Sequence, residues 1–421
     1  MALNTLANVT AILKEHTEGT NAEDLMIENN PLLGIVPKRT DFGGKYAPLP
    51  FSYAPIGGVS PIFSHAQAAK SDMREDAWQI TTNDMFALFS LDHKAVTMTR
   101  NDADAFYQLV KSRSMSAMKA YRKVLAHAIF GNGGGSLGQI SATATGQITM
   151  ANRSSMWVMD RGMSIMPATT DGTSGSVIND IQVINSVNRS SRVMTPESTF
   201  LGANWAVNNH VFLRGGFGAY IRGLASWFPT TAPSSALHFN VDRTQDDRLY
   251  GVIVEADTAR SANLEEHMID MASDIGDHGG EVKVAVMNPR SLTVLRKILG
   301  QRIRYGSVTA TRSDGSSARN SKTGAVMSFP TVKLATEVGE IDILADRNCD
   351  TNLLYMLDPE SLLLWSAGPL CDYLKYADDT NEFVRHGTEN AMEARLGGYM
   401  QFCSHAPNSN GVSNISAFLP S

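Results

Sequence analysis

The chain has little cysteine, no long apolar run and no excess of positive charge, and each lack excludes a class of protein. Its 421 residues hold three cysteines, Cys349, Cys371 and Cys403, without a CxxC spacing. A disulfide framework and a cysteine-based zinc site are therefore not expected, and the thiols read as free core residues of a chain folded in a reducing compartment. Nowhere do about 18 apolar residues run together, and the start, MALNTLANVTAILKEH, has neither a basic leader nor an unbroken apolar stretch. No membrane-spanning helix and no signal peptide are expected. With 36 basic against 42 acidic side chains the formal net charge is −6. That argues against a protein that coats nucleic acid over its whole surface, while permitting one basic face.

What is present is the composition of a globular protein: 43% hydrophobic and 19% charged residues, with 34 glycines and 16 prolines. At this length several substructures and a sizeable core are expected. Residues 1–43 show short helical patterns that stop at Asn30-Pro31, and they carry little core of their own. From Gly44 the text GKYAPLPFSYAPIGGVSPIF places prolines where a central strand would need ladder donors. With the return run AWQITTNDMFALFSLDHKAVTMTR, residues 44–98 read as a long arm or hairpin that needs a partner surface.

The clearest element follows. Between Asp102 and Phe130 no Gly or Pro interrupts, and Phe106, Leu109, Val110, Met118, Tyr121, Leu125 and Ile129 make one apolar stripe, with Asn101 as the cap. At about 1.5 Å per residue such a helix spans roughly 43 Å. Its other face carries Lys111, Arg113, Lys119, Arg122 and Lys123 against Asp102 and Asp104, a local excess of three positive charges in an acidic protein. Residues 137–205 are short β-like runs between turns and read as a small barrel or sandwich; residues 206–260 are an irregular connection. From Ser261, a helix over SANLEEHMIDMASDIGDHGG, a buried strand in EVKVAVM and a Pro289-opened helix over NPRSLTVLRKILG make an α/β unit. The Ser/Gly/Arg-rich stretch from Tyr305 reads as a loop, and the tail as a strand, a Pro-Asn turn and a final strand.

Chemical motifs are sparse. Gly133, Gly135 and Gly138 in GNGGGSLG have the GxGxxG spacing of a dinucleotide loop, but they follow a helix and precede β-rich sequence, the reverse of strand–turn–helix. No acid stands about twenty residues on, and no Gly-Lys-Ser/Thr follows. The glycines read as a helix stop and a flexible junction. Asp274, Asp277 and His278 at a helix end, and His267 and His386 beside carboxylates, read as solvated polar groups, since no GxSxG or HExxH accompanies them. No cofactor, no metal and no catalytic residue is expected.

Taken together, the arm, the proline-punctuated excursion, the long basic helix, the α/β unit with AVMNPRSLTVLRKIL and the terminal EARLGGYMQFCSHAPNSNGVSNI resemble the major capsid proteins of tailed bacteriophages, whose shared architecture is named after the phage Hong Kong 97. The resemblance implies an α+β, Hong Kong 97-like capsid fold. Residues 1–43 would be the N-terminal arm, 44–98 the extended loop with its return strands, and 99–136 the spine helix of a peripheral domain. Residues 137–205 would be an inserted small β-barrel-like domain, 206–260 a connection with peripheral strands, 261–387 the axial domain and 388–421 the return to the peripheral domain. It implies a non-enzymatic coat protein of the virion, made in the host cytoplasm, whose hexamers and pentamers form an icosahedral head. The implied partners are double-stranded DNA met without base readout by Lys111, Arg113, Lys119, Arg122 and Lys123, a separate scaffolding protein, a portal, and a decoration protein. Covalent crosslinking is not expected, since no Lys, Asn and Glu here match the crosslinking positions of some members. The alternatives are the shell of a cellular nanocompartment with the same fold, or a nucleotide- or metal-dependent enzyme.

Overall fold

A 26-residue helix leads from a six-stranded sheet into a closed β-barrel, and a seven-stranded sheet follows, in the computed structural model, which describes residues 26–54, 57–92, 94, 103–198, 204–234, 236–320, 325–374, 383–385 and 390–419. The chain runs from α1 (Pro31–Ile35) and β1 (Lys38–Arg39) into a hairpin of β2 (Ala47–Ala54) and β3 (Arg74–Ile80), with α2 (Phe63–Ala68) between its strands. It returns through β4 (Asn83–Asp92) and enters α3 (Ala103–Ala128). There follow β5 (Ser136–Ala144), β6 (Gln147–Met150), β7 (Ser164–Ala168), β8 (Gln182–Asn188), β9 (Val193–Pro196) and β10 (His210–Leu213). Next come β11 (Val252–Glu255), α4 (Leu264–Asp277), β12 (Val284–Met287), α5 (Pro289–Leu299), β13 (Arg304–Thr309), β14 (Ser328–Thr336), β15 (Gly339–Ala345) and β16 (Leu353–Leu357). The last strands are β17 (Leu362–Ser366), β18 (Asp372–Tyr373), β19 (Phe383–Arg385), β20 (Ala391–Ser404) and β21 (Gly411–Asn414).

The α/β unit follows from its local chemistry. Asn263 accepts hydrogen bonds from the amides of Glu265 and Glu266 and so caps α4; Asn288 does the same for α5 through the Arg290 amide, with Pro289 at the first turn. Both helices lay apolar stripes on one face of a seven-stranded mixed sheet, ordered β11-β21-β16-β12-β15-β14-β13. Met268, Met271, Ile275, Leu292 and Leu295 pack there with Ala285 and Met287 of β12, while Val284 and Val286 point into the larger core on the other face. A strand covered on both sides needs an unbroken apolar run, which VAVM supplies.

The six strands β10-β5-β6-β9-β8-β7 close into a barrel with its own core of Ile140, Ile148, Met150, Ile165, Ile184 and Val211. The barrel ends later than residue 205, because β10 pairs with both β5 and β7 and supplies the closing strand. In the remaining sheet, β20 pairs along β4 on one side and with β17, β18 and β19 on the other, and β17 also pairs with β1.

Three sequence expectations need correction. The expectation that residues 1–43 carry little core does not hold for the described residues 26–42: Met26, Ile27, Leu32, Leu33, Val36 and Phe42 are buried, and β1 pairs in parallel with β17. The stretch from Tyr305 is not a loop through residue 309, since β13 pairs along its whole length with β14, and ladder hydrogen bonds offset the weak strand propensity of Ser and Gly. The final segment divides between two bodies. Strand β20 lies in the six-stranded sheet while β21 inserts between β11 and β16 of the α/β unit, and β17, β18 and β19, assigned to the axial span by the resemblance, pair with β20 or with β1.

Candidate interaction surfaces

Helix α3 has 26 residues, roughly 39 Å at about 1.5 Å per residue. Val110, Ser114, Met118, Tyr121 and Leu125 form its buried stripe. The Tyr121 hydroxyl donates to the Leu370 carbonyl at 2.8 Å, and the Ser114 and Tyr373 hydroxyls meet at 2.7 Å, which fixes the helix against β18. Its opposite arc exposes Ser112, Arg113, Ser116 and Lys119. The five cations singled out in the sequence therefore separate. Arg122 is paired with Glu28 at 3.3 Å, Lys123 with Asp160 of the barrel, and Lys111 is half-buried with a partner of its own. Arg113 and Lys119 are exposed and have no carboxylate partner among the described residues. The local excess of charge counted along the helix is thus reduced by acids from elsewhere in the chain.

The β2–β3 hairpin is anchored at one end and bare at the other. At its base Trp78 is fully buried, stacked on Phe51 with ring centroids 4.8 Å apart and edge-on to Trp227 at 5.1 Å. Beyond, the two strands pair only with each other, so Pro48 and Pro50 cost no ladder bond on the open side of β2. Between the strands, α2 has no buried residue, and Val59 (96% exposed), Phe63 (81%) and Ile62 (55%) stand in solvent. Large apolar groups clustered at a hairpin end are the mark of a contact surface.

The glycine junction has a different role from a cofactor cradle. Three backbone segments cross there: the Gly218 amide donates to the Gly134 carbonyl at 2.7 Å, and a Cβ on Gly134 would lie 2.2 Å from the Asp171 carbonyl oxygen. A Cβ on Gly135 would lie 2.0 Å from that of Gly216. The adjoining cavity is about 20 Å³, room for about one water, so a nucleotide has no place. Ser136 Oγ meets His210 Nδ1 at 2.9 Å with Asp171 nearby, a trio that sequence reasoning did not find. Asp171 is already engaged by Thr173 at 2.6 Å and Asn132 at 2.6 Å, and the cavity beside the hydroxyl is the same one of about 20 Å³.

The other candidates resolve as structural groups. Asp274 is clasped by Arg260 through two 2.8 Å hydrogen bonds, and His278 Nε2 lies 3.7 Å from Asp247. Among the described residues no group of three or more His, Cys, Asp or Glu is placed to hold a metal. His386 lies outside the described residues. The expectation that His267 is solvated is wrong: it is buried on α4, its Nε2 is 2.7 Å from Ser413 Oγ, and its ring faces Phe418. All three cysteines are buried and free, and burial pushes the Cys371 thiol up to about 12.

Burial holds the His267 imidazole below its ordinary pKa, with the Arg260 charge adding to the effect and Asp270 and Asp274 opposing it. The unfolded chain therefore takes up this proton first as pH falls, so the contribution to stability is present above about 6.5 and lost below it. The expected result is that the wild type gains more stability between about pH 5 and pH 7 than His267→Gln does. Parallel urea-denaturation profiles for the two proteins would refute it.

No protein-family model matches the chain, and no curated protein matches it. Solved structures do. One from the cyanophage A-1(L) capsid asymmetric unit is 12% identical, with a TM-score of 0.49, over 91% of this chain and 92% of that one. One from the capsid of a native GTA particle is 8% identical, with a TM-score of 0.43, over 93% and 90%. The virus-like particle from Pyrococcus furiosus is 9% identical, with a TM-score of 0.38, over 94% and 98%.

Proposed function

We propose that this chain is a major capsid protein of the tailed-phage, Hong Kong 97-like type, a virion subunit whose hexamers and pentamers enclose double-stranded DNA without catalysing a reaction. The observation that carries the reading is the β2–β3 hairpin, which has apolar residues at its far end and no surface among the described residues to bury them against. Head-to-tail contacts around a closed ring would supply that surface at every copy. The order of elements supports it: hairpin, long helix, an α/β unit with central β12, and a long terminal strand β20. The barrel would be the inserted domain and the place for a decoration protein, with scaffolding protein and portal acting during assembly.

The test is electron microscopy of the purified chain, alone and coexpressed with a candidate scaffolding protein. Icosahedral particles support the reading, whereas monomers or small closed oligomers under assembly conditions overturn it. Particles that enclose a cargo enzyme instead of DNA would favour the nanocompartment shell.

The exposed arc of α3 makes a narrower prediction. In this reading Arg113 and Lys119 meet DNA phosphates. Arg113→Glu with Lys119→Glu should leave the melting temperature unchanged and lower the DNA retained per particle, read from the absorbance ratio at high salt. Arg122→Glu should instead lower the melting temperature, because it sets a second carboxylate against Glu28. Full DNA content in the first variant would remove the helix from the DNA-facing surface.

A further inference from the structure

One cleft belongs to none of these surfaces. Between the barrel and the start of α5 lies a cavity of about 340 Å³, lined by Arg153, Arg189, Arg290 and Arg347 around the indole of Trp157. Arg153 and Trp157 follow β6, Arg189 follows β8, Arg290 is in the first turn of α5, and Arg347 follows β15, so four separate stretches converge. Beside the cleft, the Asn152 side-chain amide donates to Asp350 and fastens the barrel to the α/β unit.

The charges in this cleft are poorly balanced. Asp160 takes Arg189 at 2.7 Å and also serves Lys123. Arg153 and Arg290 have no carboxylate partner among the described residues, and Arg347 makes no ion pair there, its charge acting only on the neighbouring buried carboxyl of Asp346. The Trp157 ring is faced by the Arg347 guanidinium at 5.1 Å and the Lys123 ammonium at 5.4 Å. Burial, followed by the charges of Arg290 and Arg192, lowers the pKa of Arg153. The amino end of the eleven-residue α5 adds positive potential to the same space. In a chain whose net charge is −6, four guanidiniums around one cavity concentrate positive potential at a point where an anion can join them.

We propose that this cleft is a binding site for phosphate groups. Planar guanidinium forks match the paired oxygens of phosphate, and a multivalent oxyanion can engage several forks at once where one carboxylate satisfies one or two. The cavity is also larger than a lone carboxylate requires. The phosphates can come from a free polyphosphate or from a nucleic-acid backbone, which present the same oxygens. The site lies within a single chain and does not depend on shell assembly.

The experiment is calorimetric titration of the purified full-length chain with inorganic tripolyphosphate at fixed ionic strength. Saturable binding is expected, weakened at least about tenfold in Arg290→Gln with Arg347→Gln, as fits the loss of charge-assisted hydrogen bonds. Both side chains are exposed, and an unchanged circular dichroism spectrum would show the variant folded. Arg290→Lys with Arg347→Lys, which keeps charge and loses the fork, should bind with intermediate affinity. A short DNA duplex that displaces tripolyphosphate would identify the backbone as the source; a duplex that does not would leave the free anion. Absence of saturable binding, equal binding by the folded glutamine variant, or poly-glutamate binding as tightly as tripolyphosphate would each overturn the assignment.

Discussion

In the proposed shell, Phe63→Glu with Val59→Asp should abolish particle formation while leaving the individual chain folded. Both side chains are almost wholly exposed, at 81% and 96%, and α2 buries none of its residues, so the substitutions remove little packing among the described residues. Burying a side chain of this size is worth about 1.5–3 kcal/mol, and in the proposed shell the contact would repeat at every subunit. Placing a carboxylate in the same interface reverses the sign, because an unpaired buried charge costs several kcal/mol. The measurement is sedimentation velocity with negative-stain microscopy under assembly conditions, beside the melting temperature of unassembled protein. Normal particle yield from a variant with both charges would show that the hairpin end is not an assembly contact.

How much of this was legible in the sequence depended on how far apart the interacting residues lie. Helices α4 and α5 could be read because their caps, Asn263 and Asn288, and their apolar stripes are local. Strand β12 could be read because burial on both faces demands a continuous apolar run. The hairpin could be read because prolines at 48 and 50 are incompatible with a central strand. By contrast, the two residues of β1 gain their place only by pairing with β17, more than 300 positions away, and nothing in Lys38-Arg39 announces that. The tail was read as one return because the split between β20 and β21 is decided by which sheet has an open position.

The helix face and the arginine cleft show the same limit for function. Counting charges along α3 found the cations, but not Glu28 and Asp160, which arrive from 94 and 37 residues away and neutralise two of them. The cleft is assembled from four stretches with no common spacing, so no local pattern could reveal it. His267 looked solvated beside Glu265 and Glu266, yet the helical turn that exposes Glu266 rotates the imidazole onto the buried stripe toward Ser413.

Gly135→Ala should destabilise the fold far more than Gly162→Ala, and the comparison separates the two possible reasons for the glycines of GGGSLG. Both positions have positive φ, +85° and +87°, so each pays the left-handed strain of about 1–2 kcal/mol that a side chain brings. Around Gly162 a new Cβ meets nothing within 4 Å, and that strain is the whole effect. At Gly135 the Cβ would stand 2.0 Å from the Gly216 carbonyl oxygen and 2.6 Å from the Tyr220 ring. The Gly216 carbonyl cannot swing aside freely, because it accepts from the Ala219 amide at 3.4 Å, the Gly216 amide donates to the Leu213 carbonyl at 2.9 Å, and the Gly218 amide holds Gly134. Overpacking of this kind adds about 1–3 kcal/mol, for a total of about 2–5 kcal/mol. Denaturant unfolding followed by barrel tryptophan fluorescence, with limited proteolysis at the junction, would measure it. Equal costs at the two glycines would mean that the junction tolerates a side chain and that its spelling reflects turning freedom alone. A larger cost at Gly135 means that its lack of a side chain lets three backbone segments cross where the long helix hands the chain to the barrel.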